Sequence, residues 1–312
     1  MSPSLSISML GMVKSFGGVK AVQGADLSVE AGSIHGLLGQ NGAGKTTLMN
    51  ILAGIYKAEA GQVLINQEPV SIRSPRDARR AGIGMVHQHF RLIPTFTVAE
   101  NLALVRSPLA FGPKTLGREA AAWLDRYGLG VSPSALVSQL SVGQAQKIEI
   151  AKALMGGARV LILDEPTAVL TPGEIGELFS MLKKMCRDGL TVIFITHKLG
   201  EVLSFTDRVT VMRSGRTVES MPTQGARMEG LAQLMFGGAW DKWEEARAVD
   251  QEEEDGPEIL RLQGVSLPSQ GVVQGLHGVD LSLRAGSITG IAGVPDQYSY
   301  WEKELAKLGH AV

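Results

Sequence analysis

The chain has 312 residues, of which 44% are hydrophobic and 20% charged, with a net charge of −1. That is ordinary globular material for one large domain or two small ones, without the overall basic character that binds nucleic acid or an anionic membrane. The only cysteine, Cys186, excludes a disulfide framework, no apolar run reaches the roughly 18 residues that span a bilayer, and "MSPSLSISMLG" does not read as a secretory leader.

In chain order, strands and helices alternate. Val22–Val29 has the period-2 pattern of a strand, and "SIHGLLG" (33–39) is an apolar run that feeds a glycine-rich loop. Thr46–Ala53 reads as a helix closed by Gly54, and "GQVLIN" (61–66) and "GIGMVHQ" (82–88) as short strands. From about Thr97 to Met155 the pattern turns mostly helical. "RVLILDEP" (159–166) and "LTVIFITH" (190–197) are nearly continuous apolar runs, as expected of parallel strands buried on both faces. Between them "TPGEIGELFSMLKKM" (171–185) predicts a helix with a capping box from Thr171 to Glu174 and a proline in its first position. "RVTVMRSGRTVES" (208–220) predicts a hairpin turning at Ser214-Gly215. Strand, helix and strand in this order imply a parallel α/β sheet.

Chemistry concentrates at three strand ends. The run Gly39, Gln40, Asn41, Gly42, Ala43, Gly44, Lys45, Thr46, followed by Thr47, fits a phosphate-binding loop between strand and helix. Glycines there let backbone N–H groups turn onto phosphates, and the helix N-terminus adds its positive end. Lys45 is placed to reach the β- and γ-phosphates of a nucleotide, and the Thr46 hydroxyl to ligate Mg²⁺. Downstream, Asp164 and Glu165 end an apolar strand side by side, an expensive arrangement without a cation. Asp164 is the expected Mg²⁺ holder and Glu165 the group that polarises water. His197 ends the next strand, where a γ-phosphate contact belongs.

These elements, with "HQ" (87–88) and "LSVGQ" (140–144), resemble the ATP-binding cassette (ABC) ATPases over about residues 4–240. The resemblance implies an α/β phosphate-loop cassette: a parallel-sheet core, an N-terminal antiparallel β subdomain, and a helical subdomain over about 97–155 that carries "LSVGQ". It also implies that Ser141 and Gly143, with Gln144 beside them, face the γ-phosphate held by an opposite subunit. Gln88 would sense Mg²⁺ and water and couple to a membrane subunit, and Phe16 would lie against adenine. Independently of the resemblance, Ser141 is a good N-cap for the helix that follows. Two residues depart from the commoner family pattern, Val142 within the signature and Thr171 where many members carry aspartate. Both resemble the branch that energises uptake of simple sugars and nucleosides. The implied activity is ATP hydrolysis with Mg²⁺ at the cytoplasmic face of the membrane. The implied partners are a multi-span permease, a second cassette (homodimer or separate chain) and, indirectly, a solute-binding protein; no nucleic acid is implied. Two other readings stand beside transport: a non-transport ABC protein, and an ATP-binding remnant without a productive partner. DNA-repair members carry coiled-coil insertions, and translation members a basic linker; neither pattern occurs here.

The chain also repeats itself. "ADLSVEAGSIHGLLG" (25–39) aligns without gaps to "VDLSLRAGSITGIAG" (279–293). The expected division is a cassette over 1–240, an acidic linker over 241–257 and the start of a second cassette over 258–312. After Gly293 the resemblance stops abruptly, and "QYSYW" (297–301) gathers three aromatic residues. A shifted reading frame would produce such a junction, and the expectation is that another frame encodes the rest of a second cassette.

Overall fold

The computed structural model describes residues 4–88, 91–105, 113–238, 256–268, 275–287 and 289–291. Residues 241–255 of the acidic stretch and the aromatic cluster at 297–301 lie outside these. The chain divides into two compact units, Met1–Trp243 and Glu244–Val312.

The first unit holds two sheets. Strands β1 (Ile7–Phe16), β2 (Val19–Val29), β4 (Ala60–Ile65) and β5 (Glu68–Val70) form an antiparallel sheet in the order β2-β1-β4-β5. Strands β3 (Ile34–Leu38), β6 (Ile83–Val86), β7 (Val160–Asp164), β8 (Thr191–Thr196), β9 (Arg208–Arg213) and β10 (Arg216–Pro222) form the second sheet, in the order β10-β9-β3-β8-β7-β6. Its members from β9 to β6 pair in parallel, while β10 returns antiparallel to β9 through the turn at Ser214-Gly215.

Both central strands are buried along their whole length, and the pleat divides each between two cores. Ile162, Ile193 and Ile195 face a cluster with Leu48, Met49 and Leu52 of helix α1 (Lys45–Leu52) and with Ile7, Met9 and Leu27. Leu161, Leu163, Val192 and Phe194 face Leu178, Phe179 and Leu182 of helix α6 (Pro172–Arg187). This two-sided burial explains why "VLILD" and "TVIFIT" do not alternate.

Helices α3 (Val98–Ala103), α4 (Pro113–Tyr127) and α5 (Val142–Met155) make the helical region, whose own core includes Val98, Leu102, Leu124 and Ile148. The capping box expected from Thr171 to Glu174 is present, and Ser141 caps α5 with Gln144 closing a second box. Cys186 lies buried in α6, where loss of solvation, then the charge of Asp207, pushes its thiol up to about 12; it is chemically quiet. Three helices escape the periodicity reading: α2 (Pro75–Arg80), α7 (Leu199–Phe205) and α8 (Met228–Phe236). Helix α2 buries only Ala78, so it has no apolar stripe to detect.

In the second unit, β11 (Glu258–Leu267) and β12 (Leu276–Arg284) form an antiparallel hairpin. The sequence repeat extends to its backbone. Gly264 N–H donates to Asp280 Oδ1 at 2.7 Å, as Gly11 N–H donates to Asp26 Oδ1 at 2.7 Å.

One buried polar group makes stability depend on pH. His35 on β3 is fully buried, with Nε2 2.8 Å from Thr210 Oγ1 and Nδ1 without a partner among the described residues. Burial, then the charge of Arg208, lowers its pKa from 6.5 to about 4. Because the folded value lies below the unfolded one, the unfolded chain takes up the proton first as pH falls. The neutral ring's contribution is complete above 6.5 and is lost between 6.5 and about 4, in total about 3 kcal/mol. Urea unfolding across that window should show the loss, and His35→Gln should flatten it; an equal slope in the variant would remove His35 as the cause.

Candidate functional site

Strand β3 delivers the chain to Gly39, and the loop turns into α1 at Gly44, whose φ of 97° lies in the left-handed region. A Cβ there would also stand 2.5 Å from the Ala21 carbonyl oxygen, so only glycine serves. Helices α3, α5 and α6 have their first turns capped by Thr97, Ser141 and Thr171, whereas α1 has no side-chain cap. Its positive end is therefore left to the loop. Lys45 Nζ donates to the carbonyls of Gly39 at 2.7 Å and Gln40 at 2.9 Å, which fixes the ammonium across the loop. Lys45 is only 5% exposed, and burial lowers its pKa against the opposing pull of Glu165 and Asp164.

The two carboxylates approach from the end of β7. Asp164, 7% exposed, accepts from the Thr46 hydroxyl at 3.4 Å, a long contact. Burial is the main cause that raises its pKa, and the neighbouring Glu165 adds to it; Thr46 and Lys45 act the other way. A carboxyl so placed is relieved by a cation. Glu165 has φ 46°, uncommon for a non-glycine residue and a mark of local strain. Its backbone N–H donates to Ile195 O at 3.0 Å, and its Oε1 lies 2.9 Å from His197 Nδ1. With Glu165 as the acceptor of this bond, Nδ1 of His197 is its donor and Glu165 Oε2 faces other donors.

Loop, carboxylates and Gln88 line one cleft of about 650 Å³, a volume suited to a small-molecule ligand. Asn41, Gly42, Ala43, Gly44, Lys45, Thr46 and Thr47 all border it. Three oxygen-bearing side chains, Thr46, Gln88 and Asp164, share this wall; they are the hard donors that Mg²⁺ takes, so the residues fit that ion.

Other expected site residues lie elsewhere. Gln40 lends its backbone carbonyl to Lys45 but directs its side-chain amide to Met235 O at 3.3 Å. Phe16 is not in the cleft wall; its ring meets Tyr56 edge-on at 5.0 Å, with Lys14 Nζ 5.2 Å from its centroid. Its cross-strand partner Val19 does line the cleft and is 69% exposed. Ser141, Gly143 and Gln144 are likewise absent from the wall. At Gly143 a Cβ would stand 2.5 Å from Glu174 Oε1 of α6, so a larger residue would have to displace that carboxylate.

One wall of the cleft has no local signature in the sequence. The β9–β10 turn closes on the loop, with Gly215 N–H donating to Ala43 O at 3.0 Å and Gln23 Nε2 donating to Ser214 O at 3.1 Å. "RSGR" signals a hairpin, but nothing local says where its tip docks.

Comparison with known proteins agrees with this geometry. The family described as ABC transporter matches residues 22–168. The guanosine import ATP-binding protein NupO of Bacillus subtilis is 44% identical over 92% of this chain and 56% of its own length. The glucose import ATP-binding protein TsgD13 of Haloferax volcanii is 42% identical over 96% of this chain and 59% of its own length. The ribose import ATP-binding protein RbsA 2 of Streptomyces coelicolor is 40% identical over 94% and 55%. The chain thus spans somewhat more than half the length of these curated relatives. Among solved structures, a nucleotide-free ATP-binding cassette from an ABC transporter aligns with a TM-score of 0.67 at 26% identity, covering 76% of this chain and 98% of that one. A dimeric post-hydrolysis cassette bound to ADP and Pi aligns at 0.61 and 25%, covering 70% and 100%. Residues 22–168 match the ABC transporter family, and the chain is similar to the ATP-binding proteins of nucleoside and sugar import and to a solved ATP-binding cassette.

Proposed function

We propose that this chain is the ATP-hydrolysing subunit of an importer for a small polar solute, a nucleoside or a simple sugar. The observation that carries the reading is the convergence of Lys45, Asp164 and Glu165 on one cleft, with His197 2.9 Å from the Glu165 carboxylate. Lys45 and the backbone N–H groups of the loop hold the nucleotide's β- and γ-phosphates. Thr46, Asp164 and Gln88 would hold Mg²⁺, which when bound neutralises phosphate charge. Glu165 accepts a proton from the attacking water, whose oxygen bonds to the γ-phosphorus as the bond to the bridging oxygen of ADP breaks. His197 donates from Nδ1 to Glu165 and so orients the base.

Ser141, Gly143 and Gln144 act in this proposal on the nucleotide of a second cassette, in a homodimer or a separate chain, and Phe16 contacts adenine. Residues 258–312 are proposed as the start of a further cassette. No helix of the described residues is long and apolar enough to cross a membrane. Attachment to the cytoplasmic face therefore falls to a multi-span permease, with a solute-binding protein acting through it. The names of the relatives, guanosine, glucose and ribose importers, support the solute class.

The test is phosphate release from MgATP by the purified chain, together with capture from its own membranes. Release above background and recovery of a multi-span permease are expected. A chain that releases no phosphate, alone or with that permease, is not an ATPase subunit.

A further inference from the structure

We propose that Glu201 is a positioning residue for hydrolysis, a clamp that holds the Glu165–His197 pair together from outside the cleft; this rests on the ATPase reading above. Glu201 occupies the third position of α7, after Lys198 at the N-cap. In α3, α5 and α6 the residue at that position, Glu100, Gln144 or Glu174, bonds back to its own N-cap. Glu201 leaves the backbone N–H of its N-cap to Thr196, pairs with that residue's side chain and also reaches the neighbouring strand end. Its Oε2 accepts from the Thr167 hydroxyl at 2.8 Å and from the Thr196 hydroxyl at 3.3 Å. Its Oε1 pairs with Lys198 Nζ at 3.1 Å, and the same ammonium donates to Thr167 O at 3.1 Å. Lys198 N–H closes the set on Thr196 Oγ1 at 3.0 Å.

The consequence follows from chain positions. Thr167 lies two residues after Glu165, while Thr196 and Lys198 flank His197. One buried carboxylate therefore joins the backbones that carry the base and its orienting imidazole. Thr167 and Thr196 are each 2% exposed and Glu201 8%, so water competes little for these bonds. Glu165 also holds a left-handed φ of 46°, which persists only where the surroundings over-determine it. The clamp supplies part of that constraint from a residue that does not border the cleft.

The experiment compares Glu201→Ala and the near-isosteric Glu201→Gln with the parent full chain. Misplacing a catalytic group by about 1 Å lowers turnover on the order of 100-fold, so Glu201→Ala should lose kcat on that scale while ATP affinity stays within about twofold. The loss should nearly vanish when measured in a His197→Ala background, because both changes break the same pair. A general weakening of the fold would instead add to the His197→Ala effect. The nitrogen-15 signal of His197 Nδ1–H, assigned against His197→Ala, gives a readout without turnover. It should weaken in Glu201→Ala and in Glu201→Gln. If Glu201→Ala does not fold, Glu201→Gln and Thr167→Val, which removes one donor to the clamp, carry the same comparison. An unchanged His197 signal in the folded variants overturns the proposal, as does additivity with His197→Ala. A parent that shows no Lys45-dependent hydrolysis overturns the ATPase reading instead, while the imidazole signal still decides whether Glu201 holds the pair.

Discussion

Lys45→Ala is expected to remove measurable ATP binding while leaving the chain folded. The ammonium is nearly enclosed, and its bonds to the Gly39 and Gln40 carbonyls hold it over the loop that would cradle phosphate. It is also the positive charge set against Asp164 and Glu165, both of which act on its pKa. Without it, a polyphosphate would enter a cleft whose remaining charged lining groups are Lys20 and two carboxylates, a net negative wall. A hydrogen bond to a charged group contributes about 1.5–3 kcal/mol. Loss of two such bonds to phosphate, even at the lower end, weakens affinity by about two orders of magnitude, and the unbalanced carboxylates add to this. Isothermal titration with MgATP, on protein whose circular dichroism melt matches the parent, measures the effect. Unchanged affinity would sink the phosphate-loop assignment.

The parts of this site that could be read in advance share one property: their logic is local. Gly42, Gly44, Lys45 and Thr46 stand within one turn of chain, so backbone freedom, charge and hydroxyl appear together. Thr171 and Ser141 could be recognised as caps because a cap acts over three residues. Strands β7 and β8 could be read because burial on two faces writes itself as an unbroken apolar run. What escaped depends on sheet order. Ser214-Gly215 reaches Ala43 because β9 pairs with β3, a pairing that joins residues more than a hundred positions apart and has no signature in either strand. Glu201 is a sharper case. Its place in α7 matches that of three capping residues, and only the neighbouring loop turns its carboxylate to Thr167 instead. The ring contact between Phe16 and Tyr56, forty residues away, is another that the local pattern does not announce.

Glu165→Gln is expected to spare ATP binding and nearly stop turnover. The substitution keeps shape and volume, and the amide oxygen of glutamine can still accept from His197 Nδ1–H, as Glu165 Oε1 does at 2.9 Å. The strained backbone at φ 46° then has no new reason to move. What disappears is basicity. An amide takes no proton from water at neutral pH, so the attacking oxygen must lose its proton unaided. Positioned general bases contribute typically about 100- to 10,000-fold, and kcat should fall within that range. Affinity should hold or rise, because one negative charge leaves the neighbourhood of the phosphates and of Asp164, whose carboxyl Glu165 helps to push up. With binding kept and hydrolysis blocked, two cassettes closed over nucleotide have no route to reopen, so ATP should shift the variant towards dimer in sedimentation. Single-turnover phosphate release separates chemistry from product departure. A variant that hydrolyses at the parent rate removes Glu165 from the mechanism. The base would then have to be another acceptor in the same wall, with Asp164, already drawn to Thr46, the nearest alternative.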